Sequence, residues 1–190
     1  MKNTYSLWLM PTGEAYNQFA EMISRLSAKY HSPKFEPHVT LIGAIIGTEE
    51  ELSVKTAQVA KLIKPFKIKL GIMDYFNERH KALLIRAEKT PGLIEANKIT
   101  REVFSLPPDP EYMPHSSLLY GDFSPETKEE IIKGLGREFD IEFKAKSVCL
   151  YFTTGEEDEE NWHKIKDFPF KGGTQSCIQS KKYTTKVPGR

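Results

Sequence analysis

Hydrophobic positions along the chain follow two periodicities. Alternation at every second residue is typical of strands, and spacing of three or four residues is typical of amphipathic helices. The alternating stretches predict strands at residues 4–10, 37–46, 66–75, 82–87 and 115–120, within 139–152, and at 162–170. The helical spacing predicts helices at residues 12–30, 48–64, 90–104 and 124–135.

Several helix starts carry local signals. Thr12 is predicted to cap the first helix. Thr48, with Glu51 three residues later, forms a capping-box pattern at the second. Ser124 followed by Pro125 is typical of an N-cap and a first helical position. Residues 106–113 contain three prolines and therefore predict a stiff loop rather than a helix.

The order of these elements predicts an α+β fold. Strands and helices do not alternate strictly, and Gly-rich turns are absent from the sequence, so mostly antiparallel sheets with helices outside are favoured over a doubly wound fold. Residues 66–75 and 82–87 are predicted to form a hairpin joined by residues 77–81. A helix–strand–helix–strand order recurs in the two halves of the chain. We expect one domain over residues 1–170.

Composition and charge bear on the expected partners and cellular compartment, but they do not indicate an activity. The chain has 190 residues, 39% of them hydrophobic, and a formal net charge of +1, which favours neither a nucleic-acid nor a membrane partner. With only two cysteines and no leader or membrane-spanning run, we expect a cytoplasmic monomer.

The acidic run at residues 156–160 is predicted to be a solvated loop. Residues 171–190, with five basic and no acidic residues, are predicted to be a disordered tail, a weak RNA contact being the alternative.

Two matching pentapeptides carry the candidate chemistry. PHVTL begins at Pro37 and PHSSL at Pro114. Side chains two apart on a strand point to the same face, so each motif pairs a histidine with a hydroxyl, His38 with Thr40 and His115 with Ser117. Two copies suggest one site built from both halves of the chain.

Paired histidines and hydroxyls suit phosphoryl chemistry. Histidine titrates near pH ~6.5 and can act as acid or base, each role being worth ~100- to 10,000-fold in rate. One histidine would take a proton from water while the other protonates the leaving oxygen. The hydroxyls would donate to phosphate oxygens. The alternative is that both histidines only satisfy buried hydrogen bonds.

A metal site is less favoured. Neither His-x-His nor His-Glu-x-x-His spacing occurs, and a third ligand is lacking, so we expect no metal. His31, His80 and His163 have no such neighbours and are predicted at the surface or in loops. Cys149 lies in an apolar run and is predicted to be a core residue.

Three stretches, YSLWLMP at residues 5–11, PKFEPHVTLIGA at 33–44 and YMPHSSLLYG at 112–121, resemble the two-histidine (2H) phosphoesterase superfamily. The flanking residues are most similar to its cyclic phosphodiesterase branch, which acts on ADP-ribose 1″,2″-cyclic phosphate and nucleoside 2′,3′-cyclic phosphates. The resemblance implies a two-lobed, pseudo-symmetric fold whose antiparallel sheets line a central cleft. It also implies a small-molecule cyclic phosphate substrate, no cofactor, and ADP-ribose 1″-phosphate or a nucleoside 2′-phosphate as product.

The same resemblance assigns roles. It implies that His115 activates water and His38 protonates the leaving oxygen, with Thr40 and Ser117 binding the phosphate oxygens. Because the motifs are pseudo-symmetric, a substrate bound in reverse would exchange the two histidine roles.

The resemblance also points to aromatic substrate contacts. Trp8 would contact the base or ribose. Tyr120 follows the second motif but needs a bend to reach the site, because strand parity places it opposite His115. Tyr75 or Phe76 could form a stacking wall.

Two other activities remain open from the sequence. One is an RNA-end 2′,3′-cyclic phosphate hydrolase or 2′-5′ RNA ligase-like enzyme, which would favour a long basic groove. The other is a non-catalytic nucleotide-binding module on the same scaffold.

Overall fold

A computed structural model describes residues 3–154 and 159–172. Within these ranges the chain forms four α-helices, eight strands and two single-turn 3-10 helices, at Arg79–Lys81 and Glu159–Asn161. The helices are α1 (Glu14–Tyr30), α2 (Glu49–Leu62), α3 (Pro91–Val103) and α4 (Pro125–Leu135). The strands are β1 (Thr4–Leu9), β2 (Val39–Ile46), β3 (Phe66–Asp74), β4 (Leu83–Ala87), β5 (His115–Leu119), β6 (Glu138–Ala145), β7 (Ser147–Phe152) and β8 (His163–Pro169).

The strands form two four-stranded sheets. The first sheet has the order β2-β1-β7-β8 and the second has the order β5-β4-β3-β6. Every neighbouring pair is antiparallel. The predicted α+β class and the predicted hairpin, β3 with β4, are confirmed.

Helices α1 and α3 connect the two sheets. α1 follows β1 of the first sheet but packs on β5 and β6 of the second, whereas α3 follows β4 of the second sheet and packs on both β2 and β3. The side-chain amide of Asn97 in α3 donates to the Leu41 carbonyl of β2 at 2.8 Å. One hydrophobic cluster consequently runs through both sheets, and this fixes how the two motif strands face each other.

The predicted caps of α2 and α4 are confirmed. The Thr48 hydroxyl accepts from the Glu51 amide while the Glu51 carboxylate accepts from the Thr48 amide, completing the capping box. Ser124 accepts from the Thr127 amide. Thr12 was wrongly predicted to cap α1. The N-cap there is Gly13, at φ 60° and ψ −133°, a backbone conformation that glycine adopts without steric cost.

The stretch 139–152 is not one strand but two. β6 pairs with β3 in the second sheet and β7 pairs with β1 in the first, with only Lys146 between them. The hydrophobic alternation breaks at this junction, from the odd positions 141, 143 and 145 to the even positions 148 and 150, and the change of sheet occurs where it breaks. The last predicted strand is confirmed as β8.

The first two residues of the predicted tail, Lys171 and Gly172, make defined backbone contacts. Lys171 and Gly172 donate backbone hydrogen bonds to the carbonyls of Ala60 and Ile63, at 3.0 and 3.3 Å. The rest of the predicted tail, residues 173–190, lies outside the described residues. In the described ranges, no helix is both long and apolar enough to cross a membrane.

Candidate active site

A pocket of about 580 Å³ lies between the two sheets. Trp8, His38 and Thr40 line it from the first sheet, and His115 and Ser117 line it from the second. The fold therefore brings both sequence motifs to one site.

Each motif histidine is held by its own chain. Nδ1 of His38 lies 2.7 Å from the Glu36 carbonyl oxygen, and Nδ1 of His115 lies 2.8 Å from the Met113 carbonyl oxygen. A carbonyl can only accept, so Nδ1 carries the proton on both rings. In the neutral ring, Nε2 is then the nitrogen that can accept a proton. The two motifs thus supply one Nε2 from each side of the pocket.

The surroundings of His38 strongly favour its neutral form. Burial is the main cause and lowers its pKa to about 3. Charge on His115 and His80 acts in the same direction as burial, and the bond to the Glu36 carbonyl only partly opposes them. His38 is neutral in the free protein at pH 7.

The pKa of His115 is lowered as well. Burial is again the largest cause, and the nearby Lys81 and Arg86 add to it, while the Met113 carbonyl acts in the opposite direction. Without a bound anion, the surroundings of both rings therefore disfavour the protonated form.

The two motif hydroxyls are not equivalent. In the part of the chain that the structure describes, the Thr40 hydroxyl has no hydrogen-bond partner. The Ser117 hydroxyl instead donates to the backbone carbonyl of His80 at 2.8 Å. Thr40 is ready to donate to a ligand, whereas Ser117 must first give up an internal bond.

Trp8 is part of the pocket wall and is only 2% exposed. Its ring stacks on His38 at a centroid distance of 3.6 Å and on Tyr151 at 3.9 Å. Two rings so close to the same indole must lie on opposite faces of it. A ligand can therefore reach only the edge of Trp8, and the indole supports the His38 ring.

Tyr120 also lines the pocket. The bend that it needs is a bulge in β5. Leu83 pairs with Leu119 and Leu84 with Ser117, which leaves Leu118 as an extra residue and shifts the parity of the residues after it. The Tyr120 ring stacks on Phe35 at 3.7 Å, and burial raises the pKa of its hydroxyl.

Sequence reasoning did not assign His80 or Glu159 to the site, and Glu159 contacts the pocket only through His80. His80, predicted at the surface or in a loop, lines the pocket. Glu159, predicted in a solvated acidic loop, has a side chain only 2% exposed and binds Arg79 and His80. No sequence signal links them, because Glu159 lies 79 positions from His80 and 80 from Arg79. Residues 156–158 of the acidic run lie outside the described residues.

Other predicted residues have simpler outcomes. Tyr75 and Phe76 do not line the pocket, so the expected stacking wall is wrong. Cys149 is buried as predicted, and its thiol donates to Asp167 at 3.0 Å. Across residues 3–154 and 159–172, no three His, Cys, Asp or Glu side chains are grouped so that they could hold a metal ion.

Solved structures resemble the whole arrangement. The crystal structure of TT0787 from Thermus thermophilus superposes with a TM-score of 0.63 at 19% identity, covering 89% of this chain and 98% of that one. E. coli LigT complexed with 3′-AMP gives a TM-score of 0.57 at 13% identity, covering 90% and 99%. These likenesses concern the fold.

Sequence relatives add the family. A cyclic phosphodiesterase of Arabidopsis thaliana is 25% identical over 67% of this chain and 71% of its own length. A 2′,3′-cyclic-nucleotide 3′-phosphodiesterase of Yarrowia lipolytica is 26% identical over 86% and 99%. The family model for the 2′-5′ RNA ligase superfamily matches residues 13–157. With its two motif histidines facing one pocket, the chain belongs to this superfamily, that of the 2H phosphoesterases, and has cyclic phosphodiesterases among its relatives.

Proposed function

We propose that the protein is a metal-independent cyclic phosphodiesterase acting on ADP-ribose 1″,2″-cyclic phosphate and nucleoside 2′,3′-cyclic phosphates. The observation that carries this proposal is the pair of Nε2 atoms that the two sheets bring to one pocket. The activities named for the Arabidopsis and Yarrowia relatives support it.

The proposed reaction opens the cyclic phosphate by attack of water. One Nε2 accepts a proton from the water as its oxygen bonds to phosphorus. The bond from phosphorus to one ribose oxygen breaks, and the other histidine protonates that oxygen. For a nucleoside 2′-phosphate product, the bond broken is the one to the 3′ oxygen. The Thr40 hydroxyl donates to a non-bridging oxygen, where charge increases in the transition state.

The division of labour between the histidines depends on the ligand. Family resemblance makes His115 the base and His38 the acid. Burial under Trp8 keeps His38 neutral in the free protein, so it can serve as the acid only once the phosphate anion is bound. A negative charge next to both rings raises the pKa of each.

Pocket size and charge favour a small substrate. A volume of about 580 Å³ is in the range typical of sites for small molecules. The net charge of +1 gives little general attraction for a polyanion. An RNA-end hydrolase or 2′-5′ RNA ligase-like enzyme is the second candidate, favoured by the name of the matching family model. A non-catalytic nucleotide-binding module is the third.

Activity in excess chelator tests the proposal. The substrates are ADP-ribose 1″,2″-cyclic phosphate, a 2′,3′-cyclic mononucleotide and an oligonucleotide ending in a cyclic phosphate. We expect turnover of the first two, and a loss of ~100- to 10,000-fold in kcat for His38→Ala or His115→Ala. His163→Ala, at an exposed histidine, is the control and should keep full activity. Complete loss of activity in chelator, or full activity in both motif variants, would contradict the proposal.

A sulfur-substituted substrate separates acid from base. Sulfur at the bridging 3′ position leaves without protonation, so it relieves the need for a general acid. We expect this substrate to restore turnover in His38→Ala but not in His115→Ala. Rescue of His115→Ala instead would show that the roles are reversed.

A further inference from the structure

Three side chains join the two sheets beside the pocket. The carboxylate of Glu159 lies 3.2 Å from Nε of Arg79 and 3.1 Å from Nε2 of His80, and its second oxygen lies 3.5 Å from Nη2 of Arg79. We call these residues, Arg79, His80 and Glu159, the cross-sheet cluster. Arg79 and His80 belong to the β3–β4 connection of the second sheet, and Glu159 belongs to the β7–β8 connection of the first.

The β3–β4 connection is also fixed on its own side. The buried Lys128 of α4 donates from Nζ to the Phe76 carbonyl at 2.9 Å and to the Asn77 side chain at 3.1 Å. The Gly121 amide donates to the Arg79 carbonyl at 2.9 Å. The cluster therefore links the first sheet to a firmly held part of the second.

His80 transmits this link to the site. Its backbone carbonyl accepts the Ser117 hydroxyl at 2.8 Å. Its ring lies in the pocket wall, edge to face with Tyr120 at a centroid distance of 4.9 Å. Where His80 lies thus decides where the serine of the second motif points.

A contribution to folding stability does not by itself explain why the buried residue between the two sheets is the carboxylate of Glu159. Removing a carboxylate and its partners from water costs as much as their attraction returns, so well-packed apolar side chains would hold two sheets together equally well. What an ion pair adds is a defined geometry, because the Arg79 fork and the His80 ring each meet the carboxylate in a set direction.

We propose that Glu159 is a positioning residue of the phosphodiesterase site, which sets the Ser117 hydroxyl and the facing of the two motif histidines through His80. This inference rests on the function proposed above. Glu159 itself does not touch the substrate.

Neutralising Glu159 tests the inference. Glu159→Gln keeps the size of the side chain and removes its charge, and Glu160→Gln makes the same change at the exposed neighbouring residue. We expect Glu159→Gln to lower kcat about 10- to 100-fold, the cost of a displacement of about 1 Å at a reacting group, with KM for the cyclic mononucleotide within about twofold. Glu160→Gln should leave both constants unchanged.

A double-mutant cycle with Ser117→Ala tests whether Glu159 acts on Ser117 through His80. If Glu159 acts through His80 on Ser117, Glu159→Gln costs less in the Ser117→Ala background than in the wild type. Fully additive losses would overturn the route, and an unchanged kcat in Glu159→Gln would overturn the positioning role. If Glu159→Gln does not fold, Arg79→Lys keeps the positive charge but loses the fork, and should lower kcat without changing KM.

A readout without turnover separates this inference from the proposed function. Failure of the wild type to hydrolyse any of the cyclic phosphates would remove the proposed function. The ring proton NMR signals of His38 and His115 would still report the facing of the two rings. We expect Glu159→Gln to shift both sets of signals and Glu160→Gln to shift neither. Unchanged signals in Glu159→Gln would overturn the positioning role independently of activity.

Discussion

At the residue scale, each motif histidine depends on the two residues before it. In both motifs a proline precedes the histidine, and the carbonyl two residues back accepts from Nδ1. Proline fixes its own φ near −65°, which limits how the chain can present that carbonyl. The contact does not require proline, because Nδ1 of His163 lies 2.9 Å from the Asn161 carbonyl with Trp162 between them. In both motifs, a contact within the local sequence therefore sets the ring tautomer.

The first prediction concerns acid stability. The pKa of His38 is about 3 in the folded chain and near 6.5 in the unfolded one. Above pH 6.5 both states are neutral and His38 has no effect. As pH falls below 6.5, His38 becomes protonated in the unfolded state but stays neutral in the folded state. The free energy of unfolding therefore falls by about 1.4 kcal/mol per pH unit until about pH 3.

Chemical denaturation of wild type and His38→Gln between pH 7.5 and 4 measures this. Carboxylates titrate in the same range, so the difference between the two proteins is the quantity of interest. We expect wild type to lose more stability than His38→Gln as pH falls. His163→Gln, at an exposed histidine, should follow the wild type. Parallel curves for wild type and His38→Gln would show that His38 is not held neutral.

A second prediction at the residue scale tests whether Trp8 holds the His38 ring in place or contacts the substrate base. Trp8 has His38 on one face and Tyr151 on the other, so it contacts a base at most through its edge. We expect Trp8→Phe to lower kcat, because the His38 ring loses part of its support, and to change KM little. Tyr151→Phe, which keeps the outer ring, is the control. A rise in KM with kcat unchanged would favour the base contact that the family resemblance implies.

At the element scale, helix caps show which local signals are dependable. Thr48 makes both bonds of the capping box, so Thr48→Ala should lower the free energy of unfolding by about 1 kcal/mol. Thr12 is exposed and precedes the real N-cap, Gly13. Thr12→Ala should therefore change stability by less than about 0.5 kcal/mol. Urea denaturation of both variants checks this, and equal losses would contradict the assigned caps.

The same contrast explains what could be predicted from the sequence. Strand and helix periodicity, the caps of α2 and α4, and the motif residues depend on neighbours within a few positions. The switch of sheet at Lys146 and the burial of Glu159 depend on partners far along the chain, Thr4–Leu9 in one case and Arg79 in the other. From the sequence, Tyr120 could be placed at the site only if the strand bends after the motif. The bulge at Leu118 that provides this bend leaves no pattern in the sequence.

At the scale of the whole molecule, the pocket depends on helices that join the two sheets. α1 crosses from the first sheet to the second, α3 packs on strands of both, and one hydrophobic cluster runs through both sheets. Each sheet contributes one motif histidine, so neither sheet holds a complete site. Any change in the relative placement of the sheets alters the distance between the two rings, and this is the reason for the positioning role that we propose for Glu159.

The last prediction distinguishes a small substrate from an RNA end. Each phosphate that a protein neutralises on a single strand contributes about −0.7 to the slope of log affinity against log salt concentration. A pocket that binds one cyclic phosphate should give a slope no steeper than about −0.7, whether the substrate is a mononucleotide or an oligonucleotide.

We expect kcat/KM of the full chain, including residues 173–190, to show nearly the same shallow slope for a cyclic mononucleotide and for a tetranucleotide ending in a cyclic phosphate. A slope several-fold steeper for the tetranucleotide, together with a preference for it at low salt, would contradict the small-substrate proposal. The RNA-end activity would then be favoured, because contacts with several phosphates require basic side chains beyond the pocket.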